Sequence, residues 1–347
     1  MVQLNASLRG KVSDAKLTTA ATEFDPSVQR AEEIDLGLRA KLAQSVQYLA
    51  EVAGFASARE AELAELSARI RAAPVSAWVF CLYSKLVADL IQRPRGDVTG
   101  TFEHILVSAA APATSGVVPL RDPAWARSWW DHLQTVLDTD RERPFWPIPP
   151  REEDYLRCEQ DVAAALALLG RTDAAWYAEI WALLRMIVLA SPARDQPFDG
   201  FNGASTFFFW GGAVLNANAK RTVISMIDVL AHESSHVLLF GLSAEEPLMR
   251  NDGSERYASP VRRDPRPLEG IFHACFVSTR VHRLLSRMLQ LGDLDAEQAA
   301  QAVKRRQYNG EAAIASLDLI NRHMEPTATG LTILRQLREY WASVIPD

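Results

Sequence analysis

Apolar residues recur every three or four positions over most of the chain, and this spacing predicts amphipathic helices. The first thirty residues are polar and are expected to form a loosely held arm. Packed helices are predicted from Ala31 to about Gln92, with Pro74 and Pro94 at boundaries. Further helices are predicted from Asp122-Pro123 to Leu137 and over residues 152–169, 173–189, 220–240, 265–291, 296–323 and 330–344.

Three stretches break the helical spacing. The β-branched runs Ile105 to Ser108 and Gly116 to Val118 predict short strands or an extended loop. Four prolines interleaved with aromatic residues over 143–150 predict a stiff, extended connector. The glycine-bounded aromatic run from Phe207 to Gly212 predicts a strand just ahead of the helix over 220–240. A strand in that place is suited to pairing with an extended peptide.

These patterns predict a mainly α fold with a small β element. We expect a bundle-like arrangement with an N-terminal, mainly helical region over residues 1–150 and a second region over 151–347, or one continuous domain. The polar stretch from Ser243 to Arg266 is long enough to cover a site, although an ordinary surface loop fits equally well.

The predicted helix over 220–240 carries His232-Glu233-Ser234-Ser235-His236. Positions four apart lie one turn apart on the same face of a helix, so both imidazoles can reach one metal ion with Glu233 beside it. The flanking residues are apolar nearly all round, which is typical of a buried helix. Buried histidines need partners, and a metal supplies them better than a hydrogen-bonded pair of core histidines. The sequence therefore predicts a zincin-like HExxH helix.

A catalytic metal site needs a third ligand, and the candidates are Glu269 and His273, one turn apart on the next helix. With Glu269 as ligand, the site suits a zinc peptidase with Glu233 as general base, or an open iron(II) site. With His273 as ligand, the site has three histidines, and Glu233 or Glu269 acts from beside them. Sequence spacing does not separate the two arrangements.

Composition narrows the class of protein. The chain has 347 residues, 48% hydrophobic and 23% charged, which is typical of a soluble globular protein. A net charge of −6 with interspersed signs excludes the charge pattern of a nucleic-acid-binding protein. With no signal peptide and no apolar run judged long enough to span a membrane, we expect a cytoplasmic protein.

The three cysteines, Cys81, Cys158 and Cys275, show no CxxC spacing and are expected to be reduced. Cys275 lies near the predicted site in sequence, but a small buried apolar role fits it better than contact with a metal. The oligomeric state does not follow from the sequence.

The motif and the residues after it resemble a known family. The HExxH motif is followed by Tyr257-Ala258-Ser259-Pro260 and by Arg266-Pro267-Leu268-Glu269-Gly270-Ile271-Phe272-His273, an RPLxGxxH pattern. This combination, within residues 216–287, resembles HExxH-motif proteins encoded with ribosomally made, post-translationally modified peptides. Part of that family is known as iron(II)- and 2-oxoglutarate-dependent peptide β-hydroxylases.

The resemblance implies hydroxylation of an unactivated β-carbon on a side chain of a precursor peptide, with 2-oxoglutarate decarboxylated to succinate. It implies His232 and His236 as iron ligands, with His273 as first choice for the third ligand and Glu269 beside it. The distal carboxylate of 2-oxoglutarate requires an arginine partner. We predict Arg280, which lies seven residues after His273 and thus on the same helical face. Weaker alternatives are Arg221 and Arg266.

Without the resemblance, the same residues predict a zinc metallopeptidase acting on a peptide, with Zn(II) on the histidines and Glu233 as general base. A third interpretation is a module that binds a leader peptide and keeps a metal site without catalysis. An acid between the two histidines argues against a purely structural metal site.

Overall fold

A computed structural model describes residues 24–54, 56–92, 98–110, 116–120, 127–137, 145–193 and 201–344. Within these ranges the chain forms eleven α-helices and five short strands, which confirms a mainly α fold with a small β element. The predicted N-terminal arm and the predicted helix start at Asp122-Pro123 lie outside the described residues, apart from the last few residues of the arm.

The helices are α1 (Val28–Val52), α2 (Glu60–Ala72), α3 (Ala77–Gln92), α4 (Thr99–Ala110), α5 (Arg127–Leu137), α6 (Glu152–Thr172), α7 (Ala174–Leu183), α8 (Val223–Leu242), α9 (Leu268–Leu291), α10 (Ala296–His323) and α11 (Ala328–Val344). The strands are β1 (Gly116–Pro119), β2 (Pro147–Ile148), β3 (Met186–Pro192), β4 (Gly203–Ala204) and β5 (Gly212–Asn216).

By their contacts, the described residues form two units that are interleaved in sequence. The first contains described residues within 31–159 and 182–220, and the second contains those within 24–30, 160–181 and 221–344. The division near residue 150 that the sequence suggests stays a prediction.

The first unit contains all five strands. Strand β3 is central and pairs in parallel with β1 and β5, with Val188 opposite both Val118 and Val214. Strand β4 runs antiparallel to β5, and β2 runs antiparallel to the end of β3, so the extended connector is confirmed at Pro147–Ile148. All of β3 except Pro192 is buried, as expected for a strand covered on both faces.

Two predictions are wrong, one within this unit and one for a helix that leads into it. Residues Ile105 to Ser108 lie in α4, which buries Phe102, Ile105 and Ala109 at helical spacing. This spacing outweighs the strand preference of the β-branched residues. The helix predicted over 173–189 ends at Leu183, and the following residues form β3. A continuous apolar run fits a buried strand and a buried helix equally well, so periodicity did not separate them.

The predicted strand over 207–212 is also displaced. Phe207–Phe209 forms a 3₁₀ turn, and Thr206 accepts a hydrogen bond from the backbone N–H of Phe208. The strand begins only at Gly212, where an added Cβ would meet Cε1 of Phe209 at 2.3 Å. The aromatic run therefore folds back over Gly212, which has no side chain. The strand is formed by the five residues Gly212–Asn216.

The second unit contains the HExxH helix. Helix α9 packs against both α8 and α10, and α8 also contacts α10. Helix α8 starts at Thr222, whose hydroxyl accepts a hydrogen bond from the N–H of Ser225, and α10 starts with an Asp295–Gln298 capping box. Gly292, with φ of +80°, ends α9 in the left-handed conformation that glycine favours. The predicted helices over 220–240, 265–291, 296–323 and 330–344 are confirmed, with small shifts at their ends.

Among the described residues, α8 is the one helix that is long and apolar enough to cross a membrane, which the sequence analysis did not anticipate. Its most apolar window is 72% buried inside the protein, as is typical of the core helix of a soluble protein. None of the three cysteines forms a disulfide among the described residues, and all three are buried, as predicted for Cys275.

Candidate metal centre

Helix α8 is covered by protein on every side except one line. Sixteen of its residues are buried, and the exceptions are Val223, His232, His236 and Phe240. The last three are spaced by four, so they form a single stripe along the helix. The fold therefore leaves this core helix open only along the stripe that carries the two motif histidines and at its first residue.

The motif histidines approach each other through the same ring atom. The Nε2 atoms of His232 and His236 lie 3.2 Å apart, and the ring centroids lie 4.9 Å apart. Two nitrogens bound to one ion at about 2.0–2.1 Å are separated by about 2.9–3.4 Å, depending on the coordination angle. The observed pair therefore fits two neighbouring positions on one metal ion.

The third histidine meets His236 on its other nitrogen. The Nδ1 atoms of His273 and His236 lie 3.2 Å apart, and the two ring planes are inclined at 21° with centroids 5.4 Å apart, so the rings meet edge to edge. Because Nδ1 and Nε2 of an imidazole point in diverging directions, His273 does not converge with the two Nε2 atoms in this arrangement. His273 is placed as a partner that orients His236, and the ligand role expected from the sequence is not supplied by these ring positions.

Within the described ranges, no group of three His, Cys, Asp or Glu side chains is arranged to hold a metal ion. The donor set fits a metal only in part: two imidazole nitrogens are in place, and a third protein ligand is not. Glu269 and His273 lie one turn apart at the start of α9, as the sequence suggested.

The protein environment favours neutral imidazoles, which is the form that binds metals. Burial, followed by the positive charges of His232, His273 and Arg262, lowers the pKa of His236 well below its usual value. Burial lowers the pKa of His273 to about 4.

An aromatic side chain completes the arrangement of rings. Phe240 stacks on His236 at 24° with centroids 6.2 Å apart, and its ring lies 5.1 Å from that of His273. Contact with both rings restricts their rotation, so Phe240 helps to fix the direction in which the nitrogen atoms point. No signal in the sequence singled out Phe240 beyond its position one turn after His236.

The two acids proposed for catalysis lie in different environments. Glu233 is 4% exposed and lies about 100° around α8 from His232, next to the edge of the stripe, which spans about 80° from His232 to Phe240. Glu269 lies in the first turn of α9, where the residue as a whole is exposed. Protein atoms nevertheless crowd its carboxyl group, and this desolvation raises its pKa.

Arg280 is committed to a buried ion pair. The side chain is fully buried, and its Nη2 pairs with the carboxylate of Glu179. Its Nη1 donates to the carbonyl of Phe24 at 3.2 Å, and its Nε donates to Oγ of Ser235 at 3.1 Å. The guanidinium also stacks over Trp176 at 4.5 Å. A 2-oxoglutarate carboxylate would have to displace Glu179, so these contacts do not support the predicted cosubstrate role, and Arg280 instead joins α9 to α8.

Arg266, a weaker alternative to Arg280 for binding 2-oxoglutarate, is paired with Asp264 at 2.6 Å.

The loop between α8 and α9 is held at its start, where Glu246 accepts a hydrogen bond from the N–H of Thr329 at 2.8 Å and Met249 forms a bridge with Pro326. Tyr257 and Arg266 form a second bridge, so the later part of this loop is held as well.

A scan against models of known protein families and a search of curated proteins each found no match to this chain. The resemblance to the HExxH peptide-modification family therefore stays a prediction from the motifs.

Proposed function

We propose that this chain is an iron(II)- and 2-oxoglutarate-dependent oxygenase that hydroxylates the β-carbon of a side chain in a ribosomally made precursor peptide. The observation that carries the proposal is the pair of Nε2 atoms 3.2 Å apart, on the one open stripe of an otherwise buried helix. The motif resemblance supports the choice of reaction.

In this proposal, His232 and His236 hold the ion through Nε2, and His236 uses Nδ1 to meet His273. These two nitrogens would supply two of the ion's ligands, and the third protein ligand that a catalytic site needs would have to come from a side chain that the present ring positions do not direct at the ion. When bound, iron with 2-oxoglutarate supplies the oxidation: one oxygen atom of O₂ enters a C–H bond of the peptide and the other enters succinate, with release of CO₂.

The chain's own residues contribute position and exclusion of water. The buried sides of α8 keep the two imidazoles at fixed spacing, and Phe240 shields the outer face of His236.

A zinc metallopeptidase is the second candidate, since the same two Nε2 atoms suit Zn(II) and Glu233 stands at the motif position of a general base. The burial of Glu233 weighs against this candidate, because a general base must reach a water molecule on the metal.

The first test is anaerobic addition of iron(II) and then 2-oxoglutarate, followed by visible spectroscopy. A weak charge-transfer band is expected for the natural chain, and the band should be absent from His232→Ala. His323→Ala is the matched control, because His323 is an exposed histidine at the end of α10. No band in the natural protein, or equal loss in the control variant, would contradict the proposal.

A second test separates the two candidates. The zinc-loaded protein is incubated with a library of quenched fluorescent peptides, and the iron-loaded protein is incubated in air with 2-oxoglutarate while succinate is measured. The oxygenase should form succinate and leave the peptides uncut, and Glu233→Gln should keep the iron and 2-oxoglutarate band. Zinc-dependent cleavage that disappears in Glu233→Gln would replace the oxygenase with the peptidase.

A further inference from the structure

A cleft of about 560 Å³ opens between α9, α10 and α11 of the second unit. Its size is that of a small-molecule site, since such pockets usually measure about 300–1,000 Å³. His282 lines the cleft on α9 and lies about 14 Å along that helix from His273, at 1.5 Å per residue. Its walls are formed by His282, Arg283, Ser286, Gln290, Val303, Arg306, Gln307, Tyr340 and Val344.

Two arginines give the cleft a positive charge that the protein only partly neutralises. Arg283 pairs with Asp25 through Nε and Nη2, both at 2.9 Å. Arg306 is half-buried and makes no hydrogen bond or ion pair with any part of the chain that the structure describes. Among the described residues, the guanidinium of Arg283 is therefore paired with a carboxylate and that of Arg306 is not.

The floor of the cleft does not supply the missing negative charge. The Nδ1 of His282 lies 2.7 Å from the hydroxyl of Tyr340. Burial, then the charges of Arg306 and Arg283, lower the pKa of His282 to about 4. Burial raises the pKa of Tyr340 to about 12, so both groups are neutral at neutral pH. Arg283 and Arg306 line the same cleft as this histidine.

The floor is also rigid. The imidazole of His282 lies over Gly310, where an added Cβ would approach its Cδ2 at 3.3 Å, and it packs against the ring of Trp341 at 4.8 Å. A rigid floor holds the polar groups in place before a ligand arrives, which reduces the cost of ordering them.

The rim of the cleft carries apolar surface. Val303 is 44% exposed and Val344 is 39% exposed, and both line the cleft. A ligand that fits these walls has an anionic group for the guanidinium groups and an apolar body for the valines.

We propose that this cleft binds a small organic anion, with its phosphate or carboxylate group between Arg283 and Arg306 and its apolar body against Val303 and Val344. Guanidinium groups pair with both kinds of oxyanion in a bidentate manner, so the two sources share one chemistry. The proposal is independent of the metal centre and does not rest on its function.

The test is isothermal titration calorimetry of the full chain at low salt with 1-naphthyl phosphate, 1-naphthoate and uncharged 1-naphthol. Arg306→Gln should weaken binding of the anions about tenfold or more, because a hydrogen-bonded charge pair is lost. Its matched control is Arg322→Gln, an exposed arginine on the same helix, which should change affinity by less than about twofold. The melting temperature of each variant shows that it is folded, and Arg306 has no partner in the described chain to lose.

Binding of only the phosphate would identify a phosphate site, and binding of both anions would identify a general oxyanion site; either supports the proposal. A second variant, Val303→Thr, should weaken 1-naphthyl phosphate but not inorganic phosphate, because only the apolar contact changes. The proposal would be overturned if the natural chain showed no saturable binding, if 1-naphthol bound as tightly as the anions, or if Arg322→Gln lost as much affinity as Arg306→Gln.

Discussion

Replacement of His273 distinguishes two roles for this side chain: orienting a metal ligand, or binding the metal itself. The 3.2 Å contact between the two Nδ1 atoms means that one of them carries a proton and the other accepts it. If His236 binds metal through Nε2, its Nδ1 carries the proton and donates to His273. In that case, His273 acts on the metal only through the orientation and basicity of His236.

The size of the effect differs between the two roles. Loss of a residue that orients a ligand typically weakens metal affinity about 10- to 100-fold. We therefore expect His273→Ala to lose iron(II) affinity by that factor, and His232→Ala, which removes a ligand, to lose far more. The affinities are measured anaerobically by competition with a coloured chelator, with iron(II) alone and no cosubstrate.

A conservative variant sharpens the test. In His273→Asn, the side-chain amide oxygen can occupy the place of Nδ1 and accept the same hydrogen bond, but it cannot reach where Nε2 was. The orienting role predicts that His273→Asn recovers most of the affinity that His273→Ala loses. If Asn and Ala lose affinity equally, and to the extent of His232→Ala, then His273 is a ligand and the ring arrangement described here is not the metal-bound one.

Three further predictions concern the stability of the second unit. Glu179→Gln should lower the free energy of unfolding by about 3–5 kcal/mol in a urea titration, because two buried guanidinium groups lose their counter-ion; an unchanged value would contradict the pairing. Gly330→Ala should destabilise by about 1–3 kcal/mol or more, since its Cβ would lie 1.8 Å from the carbonyl oxygen of Leu248, whereas Gly253→Ala, with open space around it, should not; equal effects would refute the clash. The pKa of His282 is lowered from 6.5 to about 4, so its contribution to stability is complete above pH 6.5 and is lost as the pH falls toward 4, by at most about 3 kcal/mol. Urea titrations from pH 7 to 4 should show a smaller pH dependence in His282→Leu.

The sequence predicted the second unit better than the first. Four of its helices, α8 to α11, are predicted by apolar spacing, by Asp295 as a cap and by Gly292 as a stop. These are local signals that tertiary packing does not override. In the first unit, helix and strand depend on what covers a short apolar run, as at β3, and that information is not local.

At the candidate site, too, local sequence signals predict the helix faces but not the contacts between distant residues. Helical geometry alone placed His232 and His236 on one face, and it put Glu269 and His273 one turn apart. It did not show which ring nitrogens meet, because χ angles depend on neighbours such as Phe240. It also placed Arg280 on the correct helix without revealing Glu179, which is 101 residues away in sequence and occupies the guanidinium.

The two sides of α8 give the motif its different surroundings. On the buried side, Arg280 donates to Ser235, the residue just before His236, and is itself paired with Glu179. On the open side, the rings of His236, Phe240 and His273 contact one another in a triangle. The helix is therefore fixed from behind by a charged network and left accessible in front, where two Nε2 atoms meet. A pair of core histidines with only a structural role has no need of an open stripe, and this asymmetry favours a site that receives a ligand from solvent.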